Sequence, residues 1–178
     1  MIADAEAFRQ ITTALPAIAA EGATAAAIPA LVADSVRVKA SVVVQDAREG
    51  GLRQILNFGH TIAHAIEHAM EYRMLHGDAV SIGMVVESRI AEALGVAPSG
   101  LAAEIANTLR AAMLPTAVPS GLAAAALVAG TRGDKKNRGG NVRYALPCGL
   151  GAMSRGDGSW VTPVEDSVVL AALTGGAD

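Results

Sequence analysis

Leu56-Asn57-Phe58-Gly59-His60-Thr61-Ile62-Ala63-His64-Ala65-Ile66-Glu67, followed by Leu75-His76-Gly77-Asp78-Ala79-Val80, decides how this chain is read. His60 and His64 are one helical turn apart, so both side chains emerge on one face. His76 returns to that face if the chain turns between two helices. The two segments hold three of the four histidines. Neutral imidazole is the commonest protein ligand for zinc-like metals. The histidine-rich corner, flanked by Arg53, Asn57 and Glu67, is where chemistry is expected.

The rest of the chain points to a helical frame. A length of 178 residues is enough for one domain with a sizeable core. The 52% hydrophobic fraction is carried largely by alanine, and aromatics make up only 3%. Alanine is the best helix former and costs no side-chain entropy, so a mainly α protein with closely approaching helices is expected. A net charge of -3 exerts no global pull toward nucleic acid or an anionic membrane. The single Cys148 excludes an intrachain disulfide and fits a reducing compartment. The N-terminus lacks the basic region of a signal peptide, and the apolar run Gly121 to Gly130 is too short to span a bilayer. A soluble, cytoplasmic protein is predicted.

Helices are expected over about 3–20, from Pro29 to Gln45, over 52–70, 77–94, 98–113 and 119–129, and over 164–173. Asp46 to Gly51 reads as a charged loop, and Gly130 to Gly140 as a basic, glycine-rich one. The run Val42-Val43-Val44 tempts a strand assignment, but its alanine-rich context argues for helix. Val142 to Leu146 reads as a strand pairing with Ala152 to Arg155, a small β-hairpin near 141–155.

A lone histidine on an alanine-rich helix is ordinarily a hydrogen-bonded core residue. Clustering of His60, His64 and His76 with Asn57, beside Gly59 and Gly77, raises a metal or catalytic role, since glycine permits close approach. Two histidines do not close a zinc site, so a third ligand must come from elsewhere. His64-Ala-Ile-Glu67-His68 also matches the H-x-x-E-H of inverted zinc peptidases, but that reading leaves His60 and His76 unexplained. Arg53, Asn57, His60 and His64 follow one another at near-helical spacing. A row of guanidinium, amide and imidazoles suits an anionic substrate with carboxylate or phosphate groups. Asp134-Lys135-Lys136 is a second anion-binding candidate. No dinucleotide or nucleotide phosphate loop is present. Cys148, with no base beside it, reads as structural.

Taken in order, these segments resemble 3-dehydroquinate synthase. They are Lys39-Ala40 with Val42-Val43, Asp46-x-Arg48-Glu49-x-Gly51-x-Arg53, Leu56 to Thr61, His64 to Glu67, Leu75 to Val80, Gly83-Met84, Asp134-Lys135-Lys136 and Arg143 to Pro147. The resemblance implies the mainly helical C-terminal domain of that fold. It also implies cyclisation of 3-deoxy-D-arabino-heptulosonate 7-phosphate to 3-dehydroquinate with phosphate release, in the shikimate route. That lyase chemistry uses NAD and a divalent metal, zinc or cobalt. By resemblance His60 and His76 are metal ligands, and His64 makes a proton-transfer or phosphate contact. Lys39, Arg53 and Asn57 hold substrate groups, and Lys135 or Lys136 adds a contact.

The departures are also informative. Ala63 stands where the family usually has glycine, and Asp78 where it often has glutamate. The family's NAD-binding domain and its Ala-Glu-x-x-Lys-type segment, source of the third metal ligand, have no counterpart in residues 1–178. These residues are expected to form a single domain that is inactive without the missing half. Association with that half, or a homo-oligomer, is expected from the apolar composition. A sugar-phosphate cyclase of secondary metabolism, and a non-catalytic helical assembly module, are the alternatives.

Overall fold

The computed structural model describes residues 4–48, 50–132 and 142–175. Helix α1 covers Ala5–Glu21. Its N-terminal residue pair is set by Asp4, whose carboxylate accepts the N–H groups of Glu6 at 2.8 Å and Ala7 at 3.0 Å. Gly22 ends it at φ 61°. Helix α2 covers Ile28–Gln45, with Pro29 in its first turn, where the missing N–H has no intrahelical partner to lose. The valine run is helical: Val42 is 3% exposed and Val44 is 83% exposed, although a strand would put both on one face.

The expected helix over 52–70 is two pieces. Leu52–Asn57 is a 3-10 helix, Phe58 and Gly59 turn the chain, and α3 runs His60–Ala69. Gly59 sits at φ 83°, a left-handed conformation that ordinary residues resist. Helix α4 covers His76–Ala93, α5 Leu101–Ala111, α6 Ala124–Thr131 and α7 Asp166–Thr174. Helices α5 and α6 begin later than their prolines, because turns ending in Gly100 and Gly121, both at positive φ, intervene.

Helices α3 and α4 form the centre. α4 packs against α3, α5 and α7, and α6 packs against α3 and α7. Ile62, Ile66, Ile82 and Ile90 are fully buried between them. Each such side chain stabilises the fold by roughly 1.5–3 kcal/mol. Two glycines bring the helices close. A Cβ on Gly83 of α4 would lie 1.9 Å from the Gly59 carbonyl oxygen, and one on Gly130 of α6 would lie 3.3 Å from the Ala65 Cβ.

The strand expectation is met by a hairpin with a different division. β1 (Arg143–Tyr144) pairs antiparallel with β4 (Thr162–Pro163), and β2 (Pro147–Gly149) pairs with β3 (Ala152–Met153). The predicted partnership survives only where Ser154 N–H donates to Leu146 O at 2.8 Å. The hairpin is tighter than expected because Gly151, at φ 77°, supplies the positive-φ turn residue. Its tip abuts α1: a Cβ on Gly151 would lie 2.4 Å from Ala5 N. Among the described residues no helix is long and apolar enough to cross a membrane.

Candidate functional site

The site begins where α3 begins. No side chain on α3's own N-cap, Gly59, can hold its first N–H groups, and the following helix supplies an acceptor instead. Glu87, fully buried on α4, accepts Gly59 N–H at 2.7 Å and Ile62 N–H at 3.4 Å. Burial pushes its carboxyl up to about 8, against the backbone bonds from Gly59, Ile62 and Thr61 that lower it. His60 is thereby the first residue of a helix whose start is gripped from α4.

Three imidazoles form a triangle over α3 and the start of α4. Ring centres of His60 and His76 are 5.3 Å apart, His60 and His64 5.9 Å, and His64 and His76 6.3 Å. His60 Nδ1 lies 3.1 Å from Phe58 O, and His76 Nδ1 lies 3.0 Å from Glu67 Oε1. A carbonyl oxygen only accepts, so Nδ1 of His60 carries the proton and Nε2 keeps its lone pair. Oε1 of Glu67, the acceptor in its bond, sets the same tautomer on His76. Burial, foremost, holds His60 below its usual histidine range, which favours the neutral ring.

Two such rings fit a divalent metal. An ion about 2.1 Å from each ring nitrogen, at tetrahedral angles, sets ring centres roughly 5 Å apart. The His60–His76 separation matches that spacing. Among the described residues no group of three His, Cys, Asp or Glu side chains is arranged to hold an ion. His68 is exposed, and Glu67, which the peptidase motif would aim at water, bonds His76 instead.

The cations are arranged differently from the expected row. Because Leu52–Asn57 is a 3-10 helix with three residues per turn, Arg53 and Asn57 do not continue the α3 face. Both are half-buried on the segment leading into His60. Asp46 organises that segment. Its carboxylate accepts the N–H groups of Arg53 at 2.9 Å, Gly51 at 2.8 Å and Gly50 at 3.1 Å. These bonds, the Arg53 one foremost, hold Asp46 below its ordinary value. Lys39 reaches the site from α2. It lines a cavity of about 320 Å³ with His60, Leu56, Ala7, Ile11 and Leu31. Two carboxylates at the cavity are engaged elsewhere: Asp4 caps α1, and Asp34 pairs with Arg37. Lys135 and Lys136 lie outside the described residues. Of the two glycines flagged beside histidines, Gly59 is a close approach, but a Cβ on Gly77 would meet nothing within 4 Å.

Sequence reasoning did not find Glu87 or the clasping role of Asp46. Asp46 carried a readable signal, an acid preceding two glycines in a loop. Glu87 carried none, since its partners are 25 and 28 residues earlier.

The molecule falls in a class of small helical proteins with two neighbouring imidazoles, one of which lines a cavity together with a lysine. The comparisons make the class specific. The chain matches the family described as 3-dehydroquinate synthase C-terminal over residues 1–137, and it belongs to that family. A 3-dehydroquinate synthase of Corynebacterium glutamicum is 39% identical over 157 residues, 88% of this chain and 43% of that protein. One from a Synechococcus species is 45% identical over 118 residues, 66% of this chain and 32% of that protein. The chain thus spans about a third to under half of the relatives it matches. Among solved structures, a 2-epi-5-epi-valiolone synthase from Streptomyces hygroscopicus, with NAD+ and Zn2+ bound, superposes with a TM-score of 0.81 at 23% identity. It matches over 97% of this chain and 46% of that one. A 2-deoxy-scyllo-inosose synthase complexed with carbaglucose-6-phosphate, NAD+ and Co2+ gives 0.73 at 24% identity, over 82% of this chain and 40% of that one. At those identities the likeness is one of fold.

Proposed function

We propose that this chain is the metal- and substrate-binding part of a 3-dehydroquinate synthase. The assembled enzyme, a cytoplasmic lyase of the shikimate route, converts 3-deoxy-D-arabino-heptulosonate 7-phosphate to 3-dehydroquinate and phosphate. The observation that carries the reading is the His60–His76 pair, each ring tied at Nδ1, beside the cavity that Lys39 lines.

His60 and His76 would hold a divalent metal, zinc or cobalt, through Nε2. When bound, that ion polarises a substrate hydroxyl oxygen and favours its oxidation. His64 stands at the third corner of the imidazole triangle, placed to contact phosphate or move a proton. Lys39, Arg53 and Asn57 orient the carboxylate, hydroxyl and phosphate groups of the substrate, and Lys135 or Lys136 adds a contact. NAD is held by another domain, whether in a longer chain or a partner, and residues 1–178 act as one unit against it. The chain works as a homo-oligomer or in association with that domain.

Phosphate release tests this. With NAD and zinc, the chain alone should be inactive with the heptulosonate phosphate. Mixed with a separately expressed NAD-binding half from a 3-dehydroquinate synthase, it should release phosphate. Inactivity in both, from folded protein, would overturn the reading. Turnover of another sugar phosphate in preference would assign a cyclase of secondary metabolism.

A further inference from the structure

Glu67 bonds the turn and the ring of His76 at once. Its backbone carbonyl accepts Tyr72 N–H at 2.8 Å, and its carboxylate lies 3.0 Å from His76 Nδ1. Between them the chain passes through Glu71 at φ 52° and Tyr72 at φ 58°, two consecutive left-handed residues that are not glycine. Such conformations persist only where surrounding structure imposes them. The Glu67 side chain is 12% exposed, whereas the His76 side chain is 56% exposed. A fixed, buried acceptor therefore faces a ring that solvent alone would leave free to rotate.

We propose that Glu67 is a positioning residue for His76: it fixes the Nδ1–H tautomer and the ring orientation, and so aims the Nε2 lone pair at the site. The proposal rests on the reading of His60 and His76 as metal ligands. A carboxylate behind a ligating imidazole also raises its basicity, and losing such a partner typically costs about 10–100-fold in metal affinity. His60 has a weaker arrangement of the same kind, with the neutral Phe58 carbonyl behind it. The two ligands are thus unequally supported, and His76 depends on a side chain where His60 depends on backbone.

The test uses the full chain and two readouts. Nitrogen-15 NMR of the imidazole rings without metal reports the tautomer. Cobalt(II) titration followed by calorimetry reports affinity. Glu67→Met removes the acceptor at similar volume. It should shift His76 toward the Nε2–H tautomer and weaken cobalt binding about 10–100-fold. Glu67→Gln keeps an acceptor oxygen without charge. It should retain the tautomer and bind cobalt with a several-fold loss. His76→Ala should lose at least as much as Glu67→Met. If Glu67→Met keeps both tautomer and affinity while His76→Ala loses binding, Glu67 is structural only and the proposal fails alone. If His76→Ala binds cobalt like the unmodified chain, the metal reading itself fails. Should Glu67→Met not fold, Glu67→Gln with unchanged affinity would overturn the proposal.

Discussion

Glu87 Oε2 accepts the backbone N–H of Gly59 at 2.7 Å, so a fully buried carboxyl on α4 caps the helix that starts with His60. Its folded value is raised to about 8 from 4.5. Below 4.5 the group is protonated in both folded and unfolded chains, and its contribution is fully present. Between 4.5 and 8 the unfolded chain ionises while the folded one keeps its proton, so stability falls as pH rises through this window. The loss is on the order of a few kcal/mol, at about 1.4 kcal/mol per pH unit. Glu87→Gln mimics the protonated acid and should abolish that slope while leaving stability near pH 5 within about 1 kcal/mol. Urea midpoints at pH 5, 6, 7 and 8 decide it, and parallel curves for the two proteins would sink the idea.

Asp46 has the opposite sign. Its folded value is depressed by the N–H bonds from Arg53, Gly51 and Gly50. Its contribution is present above its ordinary value of 3.8 and is lost as pH falls through the folded one. The side chain is solvated, so the larger effect of Asp46→Ala should be on geometry. The segment carrying Arg53 and Asn57 should loosen. In the reconstituted enzyme KM for the sugar phosphate should rise at least several-fold, with the thermal midpoint nearly unchanged. An unaltered KM would show that the clasp does not position Arg53.

How much of this was readable from sequence depends on whether the determining contact is local. The shared face of His60 and His64 follows from their spacing, whereas the return of His76 was only conditional on a turn, which Glu71 and Tyr72 make at positive φ without a glycine. The helical character of Val42 to Val44 followed from its surroundings. The break at Phe58 and Gly59 was not readable, because the left-handed turn is imposed by α4: Gly83 approaches the Gly59 carbonyl, and Glu87 holds its N–H. Without that partner, 52–70 has the pattern of one helix, and Arg53 falls into line with the histidines. Division of the β segment likewise depends on Thr162–Pro163, which lies beyond the local window. Contacts from far along the chain decided these two misses, whereas the Asp46 clasp, whose partners lie four, five and seven residues on, was a local signal left unread.

Gly83 makes the close approach testable. A Cβ there would lie 1.9 Å from Gly59 O and 3.2 Å from Ala63 N, both backbone atoms that move only if α3 shifts bodily. Gly83→Ala should destabilise by more than about 3 kcal/mol, at the severe end for overpacking. Gly77→Ala, on the same helix with open space around it, should be neutral or slightly stabilising. Urea unfolding of the pair makes the comparison. Equal stability of the two variants would refute the packing account.

Tyr72 offers a stabilising change. It holds φ 58° yet is 72% exposed, so removing its ring forfeits little packing. The left-handed conformation costs an ordinary residue roughly 1–2 kcal/mol, and glycine avoids most of it while adding unfolded-state entropy. Tyr72→Gly should raise stability by about 0.5–1 kcal/mol, a shift of a few degrees in Tm. Cobalt affinity should not fall, because Glu67 still anchors the turn and the ring. A lower Tm would mean that Tyr72 makes contacts the strain argument ignores.

Lys39 is the last residue whose role can be isolated. It shares a cavity with His60, and the acids beside it are already engaged: Asp4 with the α1 N–H groups, Asp34 with Arg37. A hydrogen bond from a cation to an anionic oxygen contributes about 1.5–3 kcal/mol, or roughly 10–100-fold in affinity. Lys39→Met keeps the length and loses the charge. In the reconstituted enzyme it should raise KM for the sugar phosphate by that factor. It should also weaken the salt dependence of binding, since one charge contact is gone. Lys39→Arg should recover part of the affinity. Because Lys39 is exposed and distant in sequence from the core of α3 and α4, Tm should not change. If Lys39→Met bound substrate like the unmodified chain at low and high salt alike, the cavity would not be the anion site, and Arg53 would have to carry that role.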